Sequence, residues 1–220
     1  MPQQTFYPDA HEEVSSVDGF VMRTGSGSWG SVRDGAGTDS GDDVETGHIW
    51  WIRSTINSNW YEIIRTIFLF NTGNLPDDCK IISAILSIYG TDKYETGAWG
   101  CAGGVFESAP ANNISLGNGD YNALLTTLLS NKIALGDWNP AGYNDFILNE
   151  VGLSKISKTG ITKLGIREAN YDAPNSPPSW KESKIDRVTG YFSEGGTGYK
   201  PKLVVTYSIP VNAMFFGCNF

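Results

Sequence analysis

A chain of 220 residues that is 40 % hydrophobic can bury the core of one all-β domain, and 26 glycines against 18 % charged residues suit many strands joined by tight turns. A net charge of −8, with no local run of Lys or Arg, excludes the cationic surface that a nucleic-acid binder needs. No stretch reaches the roughly 18 apolar residues of a membrane span, and Met1–Thr5 carries no positive region leading into an apolar one, so no Sec signal is visible.

In chain order, Thr5–Asp9 reads as an edge strand and Gly19–Arg23 as a second strand. A glycine-rich zone, 24–47, follows, with Ser31-Val32-Arg33 as a short strand inside it. His48–Arg53 restarts the sheet. Ile63–Phe70 and Ile81–Tyr89 are runs of branched and aromatic residues around a turn-rich loop, 71–78, the pattern of buried sandwich strands. Gly90–Gly104 reads as a long loop and Gly104–Glu107 as a strand. Asp120–Leu129 carries a candidate N-cap and leucines near helical spacing, which predicts a helix. Tyr143–Leu148 alternates as a strand, and 149–156 predicts a short helix capped by Asn149. Thr162–Arg167, 186–192 and Pro201–Tyr207 are the closing strands, with the proline-rich loop 173–180 barred from ladder pairing. The expected fold is all-β: an antiparallel β-sandwich of jelly-roll type with two short helices, one domain over 1–207 and an apolar tail over 208–220.

The cysteines Cys79, Cys101 and Cys218 are an odd set without metal-ligand spacing. Cys79 and Cys101 flank one expected strand. Free thiols are the reading adopted, with a bridge between them left open. Arg65 and Arg167 lie within apolar strands, where a buried guanidinium requires a partner, so each is expected in an ion pair with an acid of a neighbouring strand.

Candidate chemistry is sparse. Gly25-Ser26-Gly27-Ser28-Trp29-Gly30 fits a dinucleotide-loop spacing, but 31–37 is read as non-helical, so the stretch is taken as a flexible loop. Asp39, Asp42 and Asp43 form the densest acidic loop and are the candidate ligands for a structural calcium ion, although the spacing is not that of an EF-hand. Glu62, Glu107, Asp145, Glu150, Glu168 and Asp186 could supply the carboxylate pair of a glycosidase, yet context marks no two of them. His11 and His48 are the only histidines and no G-x-S-x-G elbow is present; His48 beside Trp50 reads as a packed strand residue.

Aromatics are the strongest lead to binding, with seven Trp and ten Tyr. Sugar rings stack on exposed aromatic faces because their C–H surfaces are apolar. Trp50, Trp51 and Trp60 belong to expected strands and a core. Trp29, Trp99, Trp138 and Trp180 fall in expected loops, and with Tyr94 they are the candidate carbohydrate-binding residues. Within the tail, Phe215, Phe216 and Phe220 are candidate assembly contacts, by docking on a neighbouring subunit or by folding back on their own domain.

Tyr7-Pro8-Asp9, Arg65–Phe70 with Leu75-Pro76, Ile81–Tyr89, Tyr143–Phe146, Leu164–Arg167, Pro178-Ser179-Trp180 and Lys200–Tyr207, taken in this order, resemble the DNRLRE-type domain family over residues 5 to 207. That resemblance implies a jelly-roll sandwich similar to carbohydrate-binding modules, some of which bind acidic polysaccharides, and no catalytic residue. The single domain and the apolar tail depart from the family's usual multidomain setting. The expectation is therefore a non-catalytic structural or recognition protein of an extracellular or virion surface, a homo-oligomer or part of a larger assembly through its tail. The alternative is a carbohydrate-binding module recognising a polysaccharide through its loop tryptophans.

Overall fold

The computed structural model describes residues 1–210. Cys218 and the candidate assembly residues Phe215, Phe216 and Phe220 lie outside the described residues. The described chain is mostly β, with 13 strands hydrogen-bonded into one continuous antiparallel sheet and two short helices.

The N-terminal strands are Gln3–Phe6 (β1) and Asp18–Gly27 (β2). The helix Trp29–Arg33 (α1) follows, then the strands Asp39–Gly41 (β3), Thr46–Ser54 (β4), Trp60–Asn71 (β5), Lys80–Glu95 (β6) and Ala102–Ser108 (β7). After a 3-10 turn at Asn118–Asn122 come Leu124–Leu128 (β8), Ile133–Ala134 (β9) and Tyr143–Ile147 (β10). The second helix is Glu150–Ser154 (α2), and the chain closes with Ile161–Glu168 (β11), Ile185–Tyr191 (β12) and Lys202–Ser208 (β13). The sheet order is β1-β13-β6-β12-β4-β5-β11-β7-β8, with β10 on β6, β2 on β5 and carrying β3, and β9 on β7.

β5 is the axis of the core. It is buried at every position from Glu62 to Phe70, so both of its faces are covered. Each of its fully buried phenylalanines, Phe68 and Phe70, contributes on the order of 1.5–3 kcal/mol by leaving water. β6, 16 residues long, is shared between two groups of strands. Its first part lies beside β13 and β10, and from Gly90 onward it pairs with β12 across a bulge at Thr189/Gly190. A bulge adds local twist, and here it stands where β6 passes from one set of partners to the other.

Four expectations need correction. Ser31-Val32-Arg33 is the end of α1, not a strand: the Ser28 hydroxyl accepts from the Ser31 N–H and caps the turn. The preceding glycines are no loop either, since Gly25 and Gly27 belong to β2. The helix expected over 120–129 is a 3-10 turn followed by β8. There Asp120 accepts from the N–H groups of Ala111 and Gly117, and Thr126-Thr127, stiff at χ1, suit the strand that pairs with β7. The long loop expected over 90–104 is mostly strand, because β12 keeps β6 paired as far as Glu95. Asn149 does cap α2, accepting from Gly152 N–H. Cys79 and Cys101 are free and buried, without a bridge.

Candidate functional site

The tryptophans expected to meet sugar are mostly inside. Trp29 and Trp99 are 7 % exposed and Trp138 is 1 % exposed, so none of the three presents a ring face to a ligand. Trp29 and Trp99 close on Trp60 from either side, with ring centroids 4.9 and 5.4 Å away. Their indole N–H groups donate to Asn175 Oδ1 and to the Ser179 carbonyl. Trp180 is half-buried, packs against the same core and donates to the Asn59 carbonyl. Trp29, Trp60 and Trp99 thus form one packed aromatic group in the core.

The acidic candidates disperse as well. Asp39 lies in β3 and accepts from Ser40 N–H, while Asp42 accepts from Leu116 N–H. Among the described residues, no group of three or more His, Cys, Asp or Glu is disposed to hold a metal ion, so Asp39, Asp42 and Asp43 are not brought together as one such group. The carboxylates weighed for glycoside cleavage are engaged elsewhere. Glu168 accepts from the N–H groups of Ala102, Asn170, Tyr171 and Asp172, and Asp186 from those of Gly97 and Trp99. Glu62 faces Arg53 at 3.7 Å, and Glu107 pairs with Lys155 at 2.7 Å. Asp145 and Glu150 are exposed singly.

What the fold does gather is tyrosine. Antiparallel register sets Tyr89 of β6 opposite Tyr143 of β10, with ring centroids 5.2 Å apart. Tyr191, at the end of β12, stacks nearly parallel on Tyr199 at 4.6 Å, and Tyr89 stands edge-on to Tyr199 at 4.8 Å. Gly196, at φ +85°, takes the left-handed backbone that lets the 193–200 segment fold back beside Tyr191. Two hydroxyls pin the platform: Tyr89 donates to the Ala141 carbonyl, and Tyr143 to the carbonyls of Gly198 and Lys200. The Lys202 ammonium sits 3.8 Å from the Tyr143 ring centroid, a cation–π contact. Tyr7, 47 % exposed, borders an open depression of about 310 Å³ with Thr197 and Lys200. Burial, then the Tyr7 and Tyr89 hydroxyls, pushes the Tyr143 hydroxyl above its usual pKa. Tyr199 is 42 % exposed, so the cluster is an aromatic surface rather than a core.

A second aromatic row crosses the sheet from the same β6. Register aligns Tyr94, Arg187 and Trp51, and Arg187 lies 5.5 Å from the Tyr94 ring centroid and 5.4 Å from that of Trp51. Tyr94 is thus the one sugar candidate from the sequence that stands 46 % exposed. His48 packs edge-on to Trp51 at 4.2 Å, as expected of a strand residue. Burial, then the Arg187 charge, lowers its pKa to about 4, with Asp92 opposing. A histidine that binds protons less readily folded than unfolded contributes stability that is lost as pH falls from about 6.5 towards 4. In denaturant melts the intact chain should lose more stability across that window than the His48→Gln variant; equal slopes would remove this role.

Arg65 and Arg167 do carry ion pairs, but with a loop acid rather than a strand acid. Asp172 receives both guanidinium groups, at 2.8 Å from Arg65 and 2.6 Å from Arg167. It is fully buried, and the two arginines hold its carboxyl well below the usual range against the opposing effect of burial.

Tyr89, Tyr143, Tyr191 and Tyr199 were missed because tyrosine is ordinary in strands, and only the cross-strand register makes neighbours of residues so distant in sequence. The available signal was that Tyr89 closes the apolar run 81–89 and Tyr143 opens the alternating run 143–148. Compared with known proteins, the chain matches no family model and none of the curated proteins.

Proposed function

We propose that the protein is a non-catalytic recognition protein that takes a saccharide on the tyrosine platform of Tyr89, Tyr143, Tyr191 and Tyr199, with Tyr7 at its edge. The observation that carries this reading is the partly exposed, mutually packed quartet of rings, two of whose hydroxyls are fixed by backbone carbonyls. A pre-arranged aromatic surface loses little conformational entropy when a flat C–H face of a sugar lies on it. Lys200 and Lys202 add donors for ring hydroxyls or acidic groups at its margin. Within the same reading the sheet is the two-layered jelly-roll sandwich, and the resemblance to DNRLRE-type domains and their carbohydrate-binding relatives supports it, as does β5 covered on both faces. Relative to the tryptophan-based recognition expected from sequence, the ligand surface moves to another set of rings.

A glycan array followed by calorimetry tests it. The intact chain should retain at least one glycan class. Tyr199→Ala, an exposed change at no core position, should weaken that binding about tenfold, equal to ~1.4 kcal/mol, while the thermal midpoint changes little. Binding to no glycan, or unchanged binding in Tyr199→Ala and Tyr191→Ala, would remove the reading.

A further inference from the structure

Among the described residues, a dense concentration of arginine lies away from the tyrosines, under the groove between β8 and the 169–175 segment. Two adjoining hollows, of about 480 and 290 Å³, share Arg33 and Thr126 as lining residues. Lys132 lines the first, and Arg65 and Arg167 line the second. Four cations therefore border these hollows, in a chain whose net charge is −8, and the ion pairs of the three arginines go to Asp172 and Asp34. Glu168, the nearest other acid in sequence, turns its carboxylate onto backbone N–H groups and lines neither hollow.

Counting N–H groups separates structural arginines from an available one. Arg65 spends all five: Nε and one Nη2 hydrogen on Asp172, the other Nη2 hydrogen on the Arg33 carbonyl, and two Nη1 hydrogens on Tyr121 O and Asn122 Oδ1. Arg167 does the same with Asp172 and the carbonyls of Leu124 and Leu125. Arg33 donates three, to the carbonyls of Asp172 and Ala173 and to the Asp34 carboxylate. One hydrogen on each Nη nitrogen is left, on a residue 9 % exposed that borders both hollows. Lys132 Nζ donates to Ala169 O and Asn170 Oδ1, leaving one of its three hydrogens. Thr126 is exposed and lines both hollows.

We propose that this groove is an oxyanion-binding site, taking a sulfate or carboxylate group on Arg33, Thr126 and Lys132. Arg65 and Arg167 supply fixed positive charge from beneath without giving up a hydrogen bond. Free N–H donors on both Nη nitrogens of one guanidinium suit an oxyanion, and a low-dielectric floor strengthens each charge-assisted bond. The site does not depend on the tyrosine platform.

The test uses the intact chain, titrated with inorganic sulfate and separately with glucuronate, against chloride at matched ionic strength. Binding is read by calorimetry and by amide and guanidinium NMR shifts. Saturable binding of either anion, with shifts centred on Arg33 and Thr126, is expected, and the tighter of the two identifies the source of the group. Arg33→Gln should weaken it about tenfold or more, as for loss of a bidentate charged contact. Because Arg33 also braces the 172–173 backbone, the double variant Thr126→Val with Lys132→Gln serves as the second arm. It should weaken binding several-fold while its melting midpoint without added anion stays that of the parent. Undiminished affinity in that double variant, or a response no different from chloride, overturns the proposal.

Discussion

Asp172→Asn is expected to destabilise the protein by about 3–5 kcal/mol, the cost of leaving a buried charge without its counter-ion. The carboxylate is 0 % exposed and accepts charged hydrogen bonds from Arg65 and Arg167 at both of its oxygens. Asparagine keeps the shape but turns an N–H₂ towards both guanidinium groups, whichever oxygen it replaces, and removes the negative charge from the pair. Surface pairs do not behave this way: Arg187–Asp92, with side chains 24 % and 54 % exposed, is expected to be worth about 1 kcal/mol or less. At about 2–4 °C per kcal/mol for a domain of this size, the thermal midpoint of Asp172→Asn should fall by ~10 °C. A shift no larger than that of Asp92→Asn would show that the arginines find other partners.

The pH dependence has a definite sign. The folded pKa of Asp172 is depressed, so its stabilisation is present above the unfolded value and disappears only as pH falls through the folded one, in strong acid. Asp18, Glu62 and Glu168 behave oppositely, since burial raises their pKa values. What they contribute is greatest in acid and is lost as pH rises from the unfolded value through the folded one. Asp172→Asn should therefore lower stability at neutral pH without moving the acid-side profile set by those three groups.

How far the sequence could be read follows from where each signal is local. The runs 63–70 and 81–89 announce themselves as strands because β5 and the middle of β6 are apolar at nearly every position. The cap at Asn149 is a local hydrogen bond and was legible for the same reason. The 120–129 segment was not, since its leucines fit helical spacing while the decision lies in pairing with β7, a partner remote in sequence. The need for a buried acid was legible at Arg65 and Arg167. Its identity was not, because Asp172 reaches both strands from a loop. The tyrosine platform was likewise invisible, being a product of register among β6, β10 and β12 rather than of any motif.

Trp99→Ala is expected to cost about 3–5 kcal/mol of stability, as for truncation of a buried aromatic that leaves a cavity. The sequence makes Trp99 a loop residue free to meet a ligand, and the fold makes it part of the core. Its ring lies 5.4 Å from Trp60, and its indole N–H donates to the Ser179 carbonyl at 2.9 Å. Its backbone N–H donates to buried Asp186, and its carbonyl accepts from the Tyr171 hydroxyl. The loop is built around the ring so tightly that a Cβ on Gly97 would come within 2.4 Å of it, so Gly97→Ala should destabilise as well. Unlike Tyr199→Ala, Trp99→Ala should leave the glycan affinity of the molecules that remain folded unchanged. Denaturant melts and calorimetry on the same sample separate the two outcomes: a Trp99→Ala protein with parental stability and lost binding would return the ligand surface to the tryptophans, and would mean that the 96–101 loop opens in solution.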